Sequence, residues 1–521
     1  LKSICADLLL QRMGPDGVAS LERPLNRALY ACVRGAIQDG SLAPSTRMPP
    51  QRDLAAELGL SRNTVMFAYE QLLAEGYLTA RTGSGTFVAD TAPERFLHAG
   101  VAATPHAGTS HATTAHATAA HATIAHAHAA APMQGLSPRG QRLIANASAS
   151  PTQWGAFMPG VPDLVRFPHR RYAQIAARLW RQPHPEWLSY SHGGGLPALR
   201  EAVAAHLRVA RSVRCDASQV LITEGIHQAI DLVVRMLGTP GETAWVEEPG
   251  YWGIRGVLEV SDIGMVPMPV DAEGMTLPAS GDARFGYWRR PAPRFIFVTP
   301  SHQYPLGAVL TLKRRRELLE FARREGSWIV EDDYDSEFRF SGQPIPSLQG
   351  LEPDAPVIYI GTFSKTLYPG LRMGYMVLPP AIAPALQTAH AELYRAGHLM
   401  TQATVAEFMQ AGDYAAHIRR MRPLYARRRA ILAGLIERYL GPGALHAHTS
   451  NAGLHLVMRL PDNADDIAVA ARAGARGIMV RPLSRYYMGP SAERGLLLGY
   501  ACVPEEAIAP AFQTLLECLL A

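Results

Sequence analysis

The sequence predicts a multidomain protein: a small helical domain with a two-stranded β wing, then a tether, then a large α/β domain. Three changes of texture carry that prediction. Residues 22 to 90 are dense in helical periodicity and end in a glycine-rich hairpin signal. Residues 96 to about 138 are low in complexity. From about residue 140 onward, apolar strand-like runs alternate with helical stretches, the pattern of an α/β domain. The expected boundaries are therefore 1–95, 96–139 and 140–521.

Bulk properties narrow the setting. At 521 residues the chain can build several cores, and its net charge of +5 permits contact with phosphates without requiring it. No apolar run reaches membrane-spanning length, so no membrane partner is expected. The opening LKSICADLLL is too short and too poorly flanked for a signal peptide, and Leu1 in place of methionine points to an alternative start codon or to trimming. Cys5, Cys32, Cys215, Cys502 and Cys518 form no CxxC and no disulfide framework, so a cytoplasmic location is expected.

In the first zone, Leu25, Leu29, Cys32, Val33, Ala36 and Ile37 trace one face of a helix. A second helix, roughly Gln51 to Leu58, stops at Gly59, a good helix-ending residue. Ser61 can cap a third helix, whose Val65, Tyr69, Leu72 and Leu73 face inward. Helix, tight glycine turn and capped helix make a helix-turn-helix. Arg62, Asn63 and Thr64 stand at the exposed start of the third helix, where side chains can bond base edges or phosphates. Tyr77 to Thr79 and Gly83 to Val88 read as two short strands about a glycine turn, a wing. Double-stranded DNA is the expected partner.

The second zone repeats histidine every five residues at His106, His111, His116, His121 and His126. Five residues turn an α-helix by about 500°, so successive histidines share no face and build no compact metal site there. Ala, Thr and His supply too little apolar bulk to fold alone, which predicts a flexible tether.

The third zone centres on Gly361-Thr362-Phe363-Ser364-Lys365-Thr366-Leu367-Tyr368-Pro369-Gly370-Leu371-Arg372. Apolar runs on both sides place Lys365 on a loop between two strands, among hydroxyls and an arginine. A neutral lysine condenses with an aldehyde, and Thr362, Ser364 and Arg372 suit a phosphate. An aldehyde together with a phosphate is what pyridoxal 5′-phosphate presents. An ordinary surface lysine in a turn would also show a Ser-Lys pair, but supporting residues recur elsewhere. Ile329 to Tyr334 is a strand ending in carboxylates, one of which can keep a pyridine nitrogen protonated. Leu221 to Ala229 reads as strand, glycine turn and helix, whose free amides suit a phosphate. Tyr251 follows Pro249-Gly250 and can lay an aromatic face on a ring.

The motif set carries a resemblance. The stretch MPPQRDLAAELGLSRNTVMFAYEQLLAEGYLTARTGSGTFV is similar to the winged helix of GntR-type regulators, and about 350 residues from the third zone resemble fold-type I aminotransferases. The combination, with TPSHQYPLG, EDDYDSEF and FSKTLYPGLRMGY, resembles the MocR subfamily of GntR-type transcription regulators. The resemblance implies a fold-type I pyridoxal-phosphate transferase fold with a large domain and a smaller C-terminal α+β lobe at about 421–521. It also implies roles. DNA contacts fall to Arg52, Ser61, Arg62, Asn63, Thr64 and Gly85; the Schiff base to Lys365; the pyridine nitrogen to Asp332, with Asp333 and Asp335 as neighbouring alternatives. Tyr334 falls at the 3′-oxygen, Tyr251 on the ring, and Gly225, Ile226, Ser364 and Arg372 at the phosphate.

Two departures from working aminotransferases stand out. Tyr304 occupies the usual asparagine position before Pro-x-Gly, and Leu497 the position of the arginine that grips a substrate carboxylate. Arg485, by resemblance to the GabR type, is the expected replacement, with Arg481 second. The expected function is a transcription regulator that senses an amine, an amino acid or the cofactor itself by aldimine exchange at Lys365, with at most a residual transaminase half-reaction. The alternative is an active aminotransferase with an accessory DNA-binding domain. A homodimer is expected, because the related fold shares its site between subunits and DNA half-sites favour two-fold symmetry.

Overall fold

The computed structural model describes residues 3–13, 24–81, 83–89, 135–145, 152–191, 193–278, 292–340, 346–395, 397–449 and 451–520. The histidine repeat and most of the expected tether lie outside these residues. The chain divides into two compact units, Leu1–His128 and Ala129–Ala521.

The first unit contains α1 (Ile4–Met13), α2 (Leu25–Gln38), α3 (Gln51–Leu58) and α4 (Arg62–Ala74), then the antiparallel pair β1 (Leu78–Arg81) and β2 (Gly85–Val88). Of the helical stripes read from the sequence, Leu29, Val33, Ala36 and Ile37 on α2 and Val65, Tyr69 and Leu72 on α4 are buried, while Leu25, Cys32 and Leu73 are half-buried. Gly59 ends α3 in the left-handed region at φ 67°, where a side chain would be strained. Ser61 caps α4 by accepting from the Thr64 amide at 3.1 Å. α1 joins the same core through Cys5, Ala6, Leu9 and Met13, a contribution the sequence reading did not anticipate.

The second unit is built on an eight-stranded mixed sheet of β3 (Val220–Thr223), β4 (Thr243–Glu248), β5 (Gly264–Asp271), β6 (Gly274–Met275), β7 (Phe295–Val298), β8 (Trp328–Asp333), β9 (Val357–Thr362) and β10 (Gly374–Val377). Their order is β3-β10-β9-β8-β7-β4-β5-β6. Strands β5, β4, β7, β8 and β9 run parallel; β10 is antiparallel to both its neighbours, so β3 points the same way as β9. The near-continuous burial of β3, β7, β9 and β10 reflects cover on both faces, as parallel sheets require. A smaller antiparallel sheet follows, with β11 (His455–Arg459), β12 (Arg481–Pro482) and β13 (Gly495–Gly499) in the order β11-β13-β12. Helices Asp413–Leu440, Asp466–Ala475 and Glu505–Leu520 pack with it.

That smaller lobe also takes in residues from far earlier in the chain. Phe157 and Phe338 lie in its core, and the Met479 amide donates to the Ala156 carbonyl.

Candidate functional site

The carboxyl ends of β3, β4, β7, β8 and β9 share one edge of the large sheet, where open α/β sheets place their ligands. Strand β8 and the turn after it deliver three close carboxylates to that edge, Asp332, Asp333 and Asp335, and their partners differ. Asp333 receives Arg211 Nε at 2.6 Å, the Tyr359 hydroxyl at 2.6 Å and the Ser336 hydroxyl. Asp335 faces His302 Nδ1 at 3.1 Å. The buried Oδ1 of Asp332 has no hydrogen-bond partner. Burial, then the negative charge of Asp333, raises the Asp332 carboxyl well above its ordinary range, while Lys365 opposes them. An acceptor left this way fits a cationic ring N–H. Glu247 on β4, held by Thr299 and Gln303, is pushed up to about 7 by burial and adds negative charge near Asp332.

An anion cup forms after β3. Gly225, at φ 94°, precedes helix Ile226–Leu237, whose first amides have no side-chain cap. A Cβ on Gly225 would stand 3.1 Å from Arg372 Nη2, so the glycine lets the guanidinium lie against the helix start. Arg372 Nη2 also donates to the Glu224 carbonyl at 3.2 Å. Ser364 sits in the turn after β9, its amide donating to Thr362 Oγ1 at 3.1 Å. Helix amides plus a fork-shaped cation suit a phosphate.

Lys365 follows that turn. Its Nζ donates to the Gly160 carbonyl at 2.9 Å, and a Cβ on Gly160 would meet Nζ at 2.6 Å. Burial lowers its pKa, against the pull of Asp335 and Asp332, which moves the amine toward the neutral, nucleophilic form. Gly160 belongs to a segment fixed to the smaller lobe. Asp163 receives Arg428 Nη2 at 2.8 Å, and the Asp163 amide donates to the Tyr425 hydroxyl at 2.8 Å. The sequence reading missed Gly160 and Asp163; the only local signal was a Pro-Gly-rich loop.

The aromatic residues fall nearby. Tyr251 lines a small cavity with Asp332 and Glu247, and its hydroxyl lies 3.1 Å from His227 Nε2. The Tyr334 hydroxyl lies 2.9 Å from His302 Nδ1. Arg485 is exposed on the turn Leu483–Tyr486 and lines an open groove of about 1310 Å³ with His227, Trp252 and Arg255. Arg481 stands directly across from Leu497 in the sheet, and its Nη2 donates to the Thr152 carbonyl at 3.0 Å.

In the first unit, Arg52, Ser61, Arg62, Asn63 and Gly85 are exposed, and Thr64 is half-buried with its hydroxyl 2.8 Å from that of Ser61. Arg62 and Asn63 thus open α4 toward solvent, at the end from which recognition helices meet base edges. Arg47 backs the wing: its Nε would lie 3.3 Å from a Cβ on Gly85. Arg81 stacks over Phe87 at 4.9 Å.

A winged helix-turn-helix joined to an aminotransferase-like unit defines a DNA-binding regulator whose second domain has an enzyme's architecture. Residues 25–88 match the model of bacterial regulatory proteins of the gntR family, and residues 168–515 match aminotransferase class I and II. The chain is 38% identical over 499 residues to the probable rhizopine catabolism regulatory protein MocR of Rhizobium meliloti, covering 96% of this chain and 94% of that one. It is 32% identical over 509 residues to the transcriptional regulator TauR of Rhodobacter capsulatus, covering 95% and 96%. Among solved structures it resembles the α-aminoadipate aminotransferase LysN of Thermus thermophilus, complexed with N-(5′-phosphopyridoxyl)-L-leucine, at 28% identity and a TM-score of 0.65 over 73% of this chain and 96% of that one. The chain belongs to the MocR family of GntR-type transcription regulators. Among the described residues, no helix is long and apolar enough to cross a membrane.

Proposed function

We propose that the second unit binds pyridoxal 5′-phosphate and reports an amine to the DNA-binding unit. The observation that carries this reading is the buried, unpartnered Asp332 Oδ1 at the same sheet edge as Lys365 and the Gly225–Arg372 cup. The likeness to LysN, a protein seen with a phosphopyridoxyl ligand, supports the same cofactor. Asp332 would face the ring nitrogen and Tyr334 the ring oxygen. Tyr251 would lie on the ring, with the amides of Gly225 and Ile226, Ser364 and Arg372 on the phosphate. When bound, the cofactor offers an aldehyde carbon that holds one amine at a time.

Lys365 would hold that carbon in the resting protein, and with an effector amine there instead it would be a free amine, free to donate to the Gly160 carbonyl as in the contact at 2.9 Å. The Asp163–Arg428 ion pair would tie that change to the smaller lobe. Coupling to DNA requires only differential affinity between two arrangements, about 1–3 kcal/mol. Arg485 is the proposed grip for an effector carboxylate. DNA is read through Arg52, Ser61, Arg62, Asn63, Thr64 and Gly85, by a homodimer in the cytoplasm. Pyridoxal phosphate added to the purified protein should give a visible absorbance band that Lys365→Ala removes, and an amine effector should change both that band and operator affinity. Steady production of keto acid over many turnovers would favour an active aminotransferase instead.

A further inference from the structure

Next to the proposed cofactor ring lies a buried group that none of the assigned roles uses. His302 is 4% exposed and Asp335 1%. His302 Nδ1 lies 3.2 and 3.1 Å from the two carboxylate oxygens of Asp335 and 2.9 Å from the Tyr334 hydroxyl. A turn of the smaller lobe closes over the pair. A Cβ on Gly453 would stand 2.1 Å from His302 Cε1 and 2.8 Å from Asp335 Oδ2, at a backbone φ of 81°, so only glycine fits.

One ring nitrogen cannot serve both neighbours in the same way. If Nδ1 is bare, it accepts the phenol's proton, and Tyr334 has none left to offer elsewhere. If Nδ1 carries hydrogen, it donates to Asp335, and the phenol O–H stays available. Near-equal distances to both carboxylate oxygens match one N–H shared between two acceptors. We propose that Asp335 and His302 are positioning residues for Tyr334: the carboxylate holds the proton on Nδ1, which keeps the phenol O–H free to donate to the ring oxygen of the bound cofactor. The inference rests on the cofactor reading above and adds to it the setting of the Tyr334 hydrogen bond.

Other groups facing this cluster do not offer the same service. His455 of β11 lies tilted against His302 at 5.3 Å between ring centroids, but its Nε2 is committed to the Pro305 carbonyl at 2.9 Å. Tyr304 meets Tyr334 edge-on at 5.5 Å and bonds the Tyr486 hydroxyl. Lys365, Asp332, Asp333 and Glu337 act on the cluster through their charge.

The test is a pH titration of the visible band in cofactor-loaded protein. A donor on the ring oxygen spreads the negative charge that otherwise holds a proton on the neighbouring nitrogen. Its loss in Tyr334→Phe should raise the midpoint by about one to two pH units, the size of one hydrogen bond to a charged oxygen. Asp335→Asn should raise the midpoint in the same direction, and should add little in the Tyr334→Phe background. An unchanged midpoint, or an equal shift in both backgrounds, overturns the inference, since a bare field effect would not need the phenol. Should Asp335→Asn fail to fold, ¹⁵N NMR of ring-labelled wild-type protein, assigned with His302→Gln, reads Nδ1 directly. A protonated Nδ1 supports the proposal and a bare one refutes it. The NMR result stands even if no band forms at Lys365, so failure here is separable from failure of the cofactor reading.

Discussion

Asp332→Asn gives two effects of opposite sign. In the folded, cofactor-free protein the Asp332 carboxyl is raised well above the ordinary range, chiefly by burial and next by Asp333. A group that holds its proton more tightly folded than unfolded stabilises the fold at low pH. That stability is lost as pH rises through the raised value. The amide of the variant carries no such loss, so without cofactor it should be at least as stable as the wild type at pH 8. With cofactor the sign reverses. Asp332 Oδ1 is buried without a partner, and a ring N–H⁺ would make there a charge-assisted bond worth about 1.5–3 kcal/mol. Losing that bond should weaken pyridoxal phosphate binding by about tenfold to a hundredfold. Equilibrium dialysis measures the affinity, and urea unfolding at pH 8 the stability. Unchanged affinity, or a cofactor-free variant clearly less stable than wild type, would refute the assignment of Asp332 to the ring nitrogen.

Other perturbations test separate parts. Arg211 is 5% exposed and donates to Asp333 and Ser301 at 2.6 Å each, so Arg211→Met should cost about 3–5 kcal/mol in urea unfolding by stranding Asp333. Adding Asp333→Asn should recover most of that loss, and no recovery would contradict the pairing. Burial, then the charge of Asp333, lifts Glu331 from 4.5 to about 7, so its stabilising effect is complete below about pH 4.5 and disappears as pH rises through 7. Glu331→Gln should therefore gain about 2–3 kcal/mol on the wild type between pH 5 and pH 8; a constant difference between the two proteins would oppose this. Ser61→Ala should cost the first unit about 1 kcal/mol in thermal unfolding through its lost cap, while Arg62→Ala should leave stability alone and weaken operator binding. Arg485→Ala should reduce the preference for a carboxylate-bearing amine over the same amine without it, and spectral titration of both amines reads this as a ratio.

Much of this architecture is legible in the sequence because local rules and tertiary needs agree. The stripe Leu29, Val33, Ala36 and Ile37, the stop at Gly59 and the cap at Ser61 are short-range signals, and all appear in the fold. The Lys365 loop is legible because apolar strands bound it on both sides. The choice among Asp332, Asp333 and Asp335 is not local. It depends on Arg211 and His302, which lie 122 and 33 residues from their partners. The role of the 155–163 segment is likewise hidden, since Lys365 is 205 residues from Gly160 and Arg428 is 265 from Asp163. α1 escaped notice although the shorter α3 did not, because α3 is marked by its stop at Gly59 and the capped helix after it, whereas only packing reveals Leu9 and Met13 as core.

The two departures from working aminotransferases have a common structural consequence. Leu497 is fully buried in a cluster with Leu306, Val457, Leu483 and Tyr486, and Tyr304 bonds the Tyr486 hydroxyl at 3.0 Å. Tyr304 and Leu306 lie on the loop after β7 of the large sheet, whereas Val457, Leu483, Tyr486 and Leu497 belong to the smaller lobe. Two positions that such enzymes devote to the cofactor ring and the substrate carboxylate therefore serve here to join the lobes. Asp332, Lys365 and the Gly225–Arg372 cup remain in place beside them. That arrangement supports the proposed reading, in which the second unit registers an amine, over the alternative of an active aminotransferase.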